Sequence, residues 1–148
     1  MKKIVSIGFI FLMLSLSACL SAPNASSEST PQAELRNTLW KLTELDGKAI
    51  RPREGQRMAS LTLRTTDPGA KIVTACNQGS AGYKLEGNSL KFGLVMATKM
   101  MCPEDQNLEE RAFFKVIDET VRFEIKGETL QLFDAGNRVL ASFHAEYL

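Results

Sequence analysis

Between residues 38 and 143 the chain repeats one pattern, and that pattern leaves few folds open. A short run alternates apolar and polar residues, then a turn signal interrupts it, at roughly the 8–12-residue spacing of a barrel or sandwich. Residues 38–45 run into Asp46-Gly47. Residues 60–64 and 71–75 flank Asp67-Pro68-Gly69. Residues 82–86 and 89–92 flank Gly87-Asn88, and 95–101 continues. Residues 121–126 and 129–133 flank Gly127-Glu128, and Ala135-Gly136-Asn137 leads into 138–143. A period of two sends successive side chains to opposite faces, so each run can bury one face and wet the other. The two-residue Gly-containing turns favour antiparallel hairpins.

One stretch departs from this period. In residues 103–120 the apolar positions Leu108, Ala112 and Val116, with Phe113 and Ile117, follow the spacing of one helix face. Pro103 suits the first helical position. Glu104, Asp105, Glu109 and Glu110 put negative charge toward the positive end of the helix dipole. The expected fold is therefore mostly β with one helix: an open or cracked antiparallel β-barrel with a single α-helix packed against it. An interior lined by Leu61, Leu63, Tyr83, Leu85, Phe92, Phe123 and Ile125 is expected to be plain core, or else to hold a small apolar ligand.

The N-terminus reads as an export signal. Lys2 and Lys3 precede an apolar run, residues 4–16, that is too short to span a bilayer, and Ser17-Ala18 supply small residues for a peptidase. Leu16-Ser17-Ala18-Cys19 resembles the bacterial lipobox, which implies cleavage between Ala18 and Cys19 and acylation of Cys19. Leu20 follows the cysteine where an Asp would imply retention at the inner membrane, so the expected location is the outer membrane, facing the periplasm. The expected divisions are residues 1–18 as signal peptide, 19–34 as lipidated Cys and flexible linker, and 35–148 as one domain. The linker has the Ser, Ala, Pro, Asn and Thr content of a segment that cannot build a core. The chain has 18 Lys and Arg against 17 Asp and Glu; loss of Lys2 and Lys3 leaves 16 against 17, a net charge of −1. So balanced a domain lacks the basic footprint of a nucleic-acid binder.

Two cysteines remain in the domain, Cys76 and Cys102. An even pair in an exported domain suggests a disulfide, with free buried thiols or a reactive or metal-binding thiol as alternatives. Closing a loop of about 27 residues would stabilise by roughly 3–4 kcal/mol.

The residues around this pair carry a family resemblance. Ala75-Cys76-Asn77-Gln78, the hairpin from Gly82-Tyr83 to Ser89-Leu90, and Thr98-Lys99-Met100-Met101-Cys102 resemble the META domain of HslJ-type lipoproteins. Trp40-Lys41-Leu42 matches that family's opening strand. Phe123-Glu124-Ile125 with Leu130-Gln131-Leu132 matches its closing hairpin. Ala75 stands where the family often has Gly. The resemblance marks Asn77, Thr98 and Met100 as motif residues. It implies a small non-enzymatic envelope protein linked to heat shock and novobiocin resistance, with a fold like that of type III secretin pilotins.

Other candidates have bland explanations beside the sharp ones. Asn77 is expected to hydrogen-bond turn backbone rather than read a ligand. Met96, Met100 and Met101 could bind Cu(I) through thioethers, but core filling is the simpler expectation. Lys48, Arg51, Arg53 and Arg57 form a basic loop that could touch anionic lipid, or be solvated and balanced by Glu54. His144 is the single histidine, and no nucleophile or zinc motif accompanies it. The expectation is no enzyme, no cofactor and no metal, in a monomer held to the membrane by its lipid and meeting an envelope protein partner. The alternatives are a pilotin-like chaperone binding a secretin tail, and a small apolar ligand or inhibitor-type binding module.

Overall fold

The computed structural model describes residues 32–51, 53–65 and 69–147. Ala18, Cys19 and the signal peptide lie outside them, as do most of the linker and the Asp67-Pro68 part of one turn. Ten strands and one helix follow in chain order: β1 Leu39–Leu45, β2 Lys48–Ala49, β3 Ser60–Leu63, β4 Gly69–Val73, β5 Gln78–Glu86, β6 Ser89–Phe92, β7 Met96–Ala97, α1 Glu104–Glu119, β8 Arg122–Lys126, β9 Thr129–Phe133 and β10 Val139–Glu146. Eight strands close in the order β10-β9-β8-β6-β5-β4-β3-β1, with β1 returning to β10; β2 adds to β1, and β7 adds to β5. The fold is the mostly-β, single-helix antiparallel barrel that the period of two implies.

The barrel has a crack. Strands β6 and β8 pair only at Ser89 and Arg122, supported by Leu90 N to Val121 O and Phe123 N to Asn88 O. Beyond that point β6 runs past the end of α1, and β8 runs past the β5–β6 turn. Of the expected lining residues, Tyr83, Leu85, Phe92, Phe123 and Ile125 are half-buried and pack against the core, whereas Leu61 and Leu63 are fully buried. At the edge of the crack Arg122 lies 3.9 Å from the centre of the Phe133 ring and pairs with Glu124 at 2.7 Å. The hydrogen bond from Arg122 holds the Glu124 carboxyl below the usual carboxylate range.

The core is a filled interior. Trp40, Leu42, Leu61, Leu63, Ile72 and Phe143 are all fully buried. Bulges adjust the alternation. A register shift between Leu42 and Glu44 in β1 lets Leu42 and Leu45 both point inward despite their odd spacing. A second shift between Val139 and Ala141 does the same for Leu140 and Phe143 in β10. The Asp46-Gly47 turn has both residues at positive φ, 47° and 75°, which is the twist a two-residue hairpin needs.

Helix α1 closes the barrel through its C-terminal half. Phe113, Val116 and Ile117 are buried, and the Phe113 ring sits 5.9 Å from that of Phe143. Thr120 ends the helix in an extended conformation, and its hydroxyl donates to Val116 O. Two expectations change here. Pro103 is the N-cap rather than the first helical residue. Leu108 is 56% exposed, because the first two turns stand outside the barrel mouth.

Among the described residues, Ala33 and Leu35 are both buried, so packing includes Ala33 from the stretch expected as linker. Ala33 N donates to Gly127 O. Leu35 O accepts the Trp40 indole N–H at 3.0 Å, which satisfies the one polar atom of the largest core side chain.

Candidate functional site

The motif residues converge on one corner, where the β4–β5 turn, the segment after β7 and the first half of α1 meet. Cys76 and Cys102 are joined there, with their Cα atoms 6.1 Å apart. The bridge ties the β4–β5 turn to the residue before the helix N-cap.

Asn77 lies at the centre and is 3% exposed. Its amide oxygen accepts from the Thr98 hydroxyl and from Met100 N, each at 2.8 Å. Its amide nitrogen donates to Glu110 Oε1 at 3.0 Å and to Cys76 Sγ at 3.2 Å. An amide has two donor hydrogens and two acceptor sites, so the group is saturated and has none left for a ligand. The Asn77 backbone N donates to Thr74 Oγ1 at 2.8 Å and to Glu110 Oε2 at 3.1 Å. The Thr74 hydroxyl donates to Glu110 Oε2 at 2.6 Å. Arg57 closes the knot from outside, donating to Cys76 O at 2.7 Å. Thr74 and Glu110 carry no local motif signal; only the folded arrangement brings them to Asn77. Ala75 is not among the positive-φ residues, so this turn needs no glycine.

What the knot holds in place is the segment 94–101. The sequence pattern implies a strand over 95–101, with Met96 and Met100 on one face, Met101 on the other, and core filling as the methionines' simpler role. Only Met96–Ala97 pairs, against Ser80 and Gly79 of β5. Gly79 lets the two strands approach closely: a Cβ there would stand 3.0 Å from Val95 Cγ1 and 3.1 Å from the Met96 carbonyl oxygen, tighter than ordinary packing contact. After Ala97 the ladder stops, because Asn77 takes the Met100 N–H and the disulfide turns the chain toward Pro103. The barrel interior is already filled, so these side chains point out. Met101 is 101% exposed, Leu94 91%, Met96 74% and Met100 58%. Core filling by the methionines is therefore corrected. Four large apolar side chains are thus exposed within one short segment, which makes it the candidate site among the described residues.

The remaining candidates are placed elsewhere. His144 is on the outer side of β10, with Nε2 3.7 Å from Glu128. Arg53 pairs with Asp105 at 2.6 Å and lies 3.8 Å from Glu109, so the basic loop is balanced by the helix rather than by Glu54. Lys48 and Arg51 are exposed. A groove of about 380 Å³ runs beside α1, lined by Leu45, Ile50, Leu108 and Ala112 with Asp46, Lys48, Arg53, Asp105 and Glu109.

The structure is similar to two solved structures. One is the NMR structure of a protein from Burkholderia xenovorans, with a TM-score of 0.63 and 24% identity over 77% of this chain and 85% of that one. The other is an NMR structure of a protein with a TM-score of 0.59 and 18% identity, over 74% of this chain and 90% of that one. At these identities the likeness is one of fold. A search of curated proteins finds no match. The META domain family model matches residues 33–147, the span over which the barrel, the Cys76–Cys102 corner and the helix are built. Its scope supports a non-catalytic, envelope-type domain, and on that match the chain belongs to the META domain family.

Proposed function

We propose that this chain is exported, cleaved before Cys19, acylated there, and works as a non-enzymatic lipid-anchored protein on the periplasmic face of the outer membrane. Its role is in envelope stress, heat shock and novobiocin resistance included, exerted by binding rather than by turnover. The observation that carries this reading is the pairing of a filled interior with an outward-facing pinned segment. Trp40, Leu42, Leu61 and Phe143 occupy the space a ligand would need, while Leu94, Met96 and Met101 stand free to meet a surface. The lipobox supplies the anchor.

The filled interior weighs against the small-ligand alternative. The pilotin-like alternative would use the groove beside α1, where Arg53 and Asp105 close an ion pair of 2.6 Å among the lining residues. An amphipathic helix entering there would meet four apolar residues, Leu45, Ile50, Leu108 and Ala112, among five charged ones.

Intact-mass spectrometry of the protein recovered from membranes tests the anchor. The expected product starts at residue 19, carries fatty acyl mass, and is lost in Cys19→Ser. Recovery of a chain that keeps Met1 and bears no acyl group would contradict the proposal. In cells, the Cys19→Ser form is expected to fail to restore novobiocin tolerance to a strain lacking the protein.

A further inference from the structure

The outer face of the sheet that carries the pinned segment has a lopsided charge. From residue 69 to residue 99 the charged side chains are Lys71, Lys84, Lys91, Lys99 and one carboxylate, Glu86. All five are exposed, and among the described residues no ion pair involves any of these lysines. This stands out in a mature chain whose overall balance is negative.

Register puts the lysines of the strands on one side. Lys71 of β4 faces Ser80 of β5, and Ser80 faces Met96 of β7. Directly opposed residues in antiparallel strands project from the same face, so Lys71, Ser80 and Met96 form one outward row. Four residues along β5, roughly 14 Å away, Lys84 directly opposes Lys91 of β6. Opposed like charges destabilise a sheet, and Glu86, two residues along the same face of β5, is the one carboxylate beside this pair between residues 69 and 99. Between the two rows the floor is low. Gly82 and Gly93 form part of an open hollow of about 460 Å³ bordered by Lys84 and Lys91. A Cβ on Gly82 would meet nothing within 4 Å, so packing does not demand a glycine there. A second open hollow, of about 420 Å³, adjoins Lys71, Ser80 and Met96.

From this arrangement we infer that the outer face of β4, β5, β6 and β7 docks on an anionic phospholipid surface. Lysines supply the attraction to headgroup phosphates, and Met96, with the exposed Leu94 two residues before it, enters the interfacial layer. Charge complementarity selects the occupant. This inference rests on the lipid-anchor reading: the 12 residues 20–31 lie between the acylated cysteine and the first described residue, so the two are at most about 45 Å apart. A tethered domain meets its own membrane at high effective concentration, and a weak surface suffices. The loop Lys48 to Arg57 is a poorer candidate, because Arg53 and Arg57 are already engaged with α1 and Cys76.

The test uses the mature chain, residues 19–148, carrying Cys19→Ser, so that binding does not depend on acylation. Flotation with vesicles containing phosphatidylglycerol is compared with pure phosphatidylcholine, at low and high salt. The unacylated chain is expected to bind only the anionic vesicles and to release in high salt. Lys84→Gln with Lys91→Gln is expected to weaken that binding by roughly tenfold or more, at about fivefold per lysine. A matched loss of charge elsewhere, Lys115→Gln with Lys126→Gln, is expected to change it less than about twofold. Leu94→Ser with Met96→Ser, at exposed positions that leave the core intact, is expected to make the remaining binding more sensitive to salt. Equal losses in the two lysine doubles would overturn the inference. So would failure of the unacylated chain to bind anionic vesicles at low salt, including the case where crosslinking in cells instead finds this face on an envelope protein. Failure of acylation itself is read separately, from the mass of the wild-type protein.

Discussion

Replacing Asn77 by Ala is expected to destabilise the domain by about 3 kcal/mol, the sum of several broken buried hydrogen bonds and the polar groups they leave unpaired. Met100 N and the Thr98 hydroxyl lose their common acceptor, and Glu110 Oε1 loses a donor. Urea titration of the oxidised protein would measure the change. Asn77→Asp separates the two halves of the amide. It keeps an acceptor for Met100 N but places a carboxylate oxygen against Glu110, where the structure has an N–H donor 3.0 Å away. It is expected to be as damaging as Ala. Adding Glu110→Gln, which restores a donor, is expected to recover about 1 kcal/mol, a coupling that a double-mutant cycle isolates. Additive losses would mean that the two side chains do not interact as described.

The second large effect is in the core. Trp40→Ala is expected to cost about 4 kcal/mol. The side chain is fully buried among strands from both ends of the sequence, since β1 pairs with β3 on one side and β10 on the other. Its loss would leave a cavity at the point where the barrel closes. It would also orphan Leu35 O, which accepts the indole N–H, so the N-terminal segment from Ala33 should loosen with it. Trp40→Phe is expected to cost about half as much, because it keeps most of the apolar volume and loses only the hydrogen bond and the second ring. A loss below about 1 kcal/mol for Trp40→Ala would place that residue outside the core.

Much of the barrel could be read from the sequence because its signals are local. Asp46-Gly47, Gly87-Asn88 and Gly127-Glu128 each turn the chain within two residues, and the alternation on either side specifies which face is buried. The helix could be read for the same reason, from the spacing of Phe113, Val116 and Ile117. What escaped depends on distance in sequence. The Asn77 knot draws Thr74, Thr98, Met100 and Glu110 from three segments, and no spacing rule connects an asparagine to a glutamate 33 residues later. The methionines misled because composition favours burial, whereas the interior was already filled by Trp40, Phe113 and Phe143. The lysines of the outer face are scattered over 71–99 and gather only through strand register. The basic cluster that is contiguous in sequence, Lys48 to Arg57, instead finds carboxylates on α1 and a carbonyl of the cysteine turn.

The segment 94–101 is pinned at Met100 N while its large apolar side chains face outward. Amide hydrogen exchange at Met100 tests this most directly, because its side chain is exposed while its N–H is given to a buried amide oxygen. Protection of at least about a hundredfold over an open loop is expected in the wild type, falling to near the unprotected rate in Asn77→Ala. A Met100 amide that exchanges in the wild type as fast as an unstructured peptide would contradict the account.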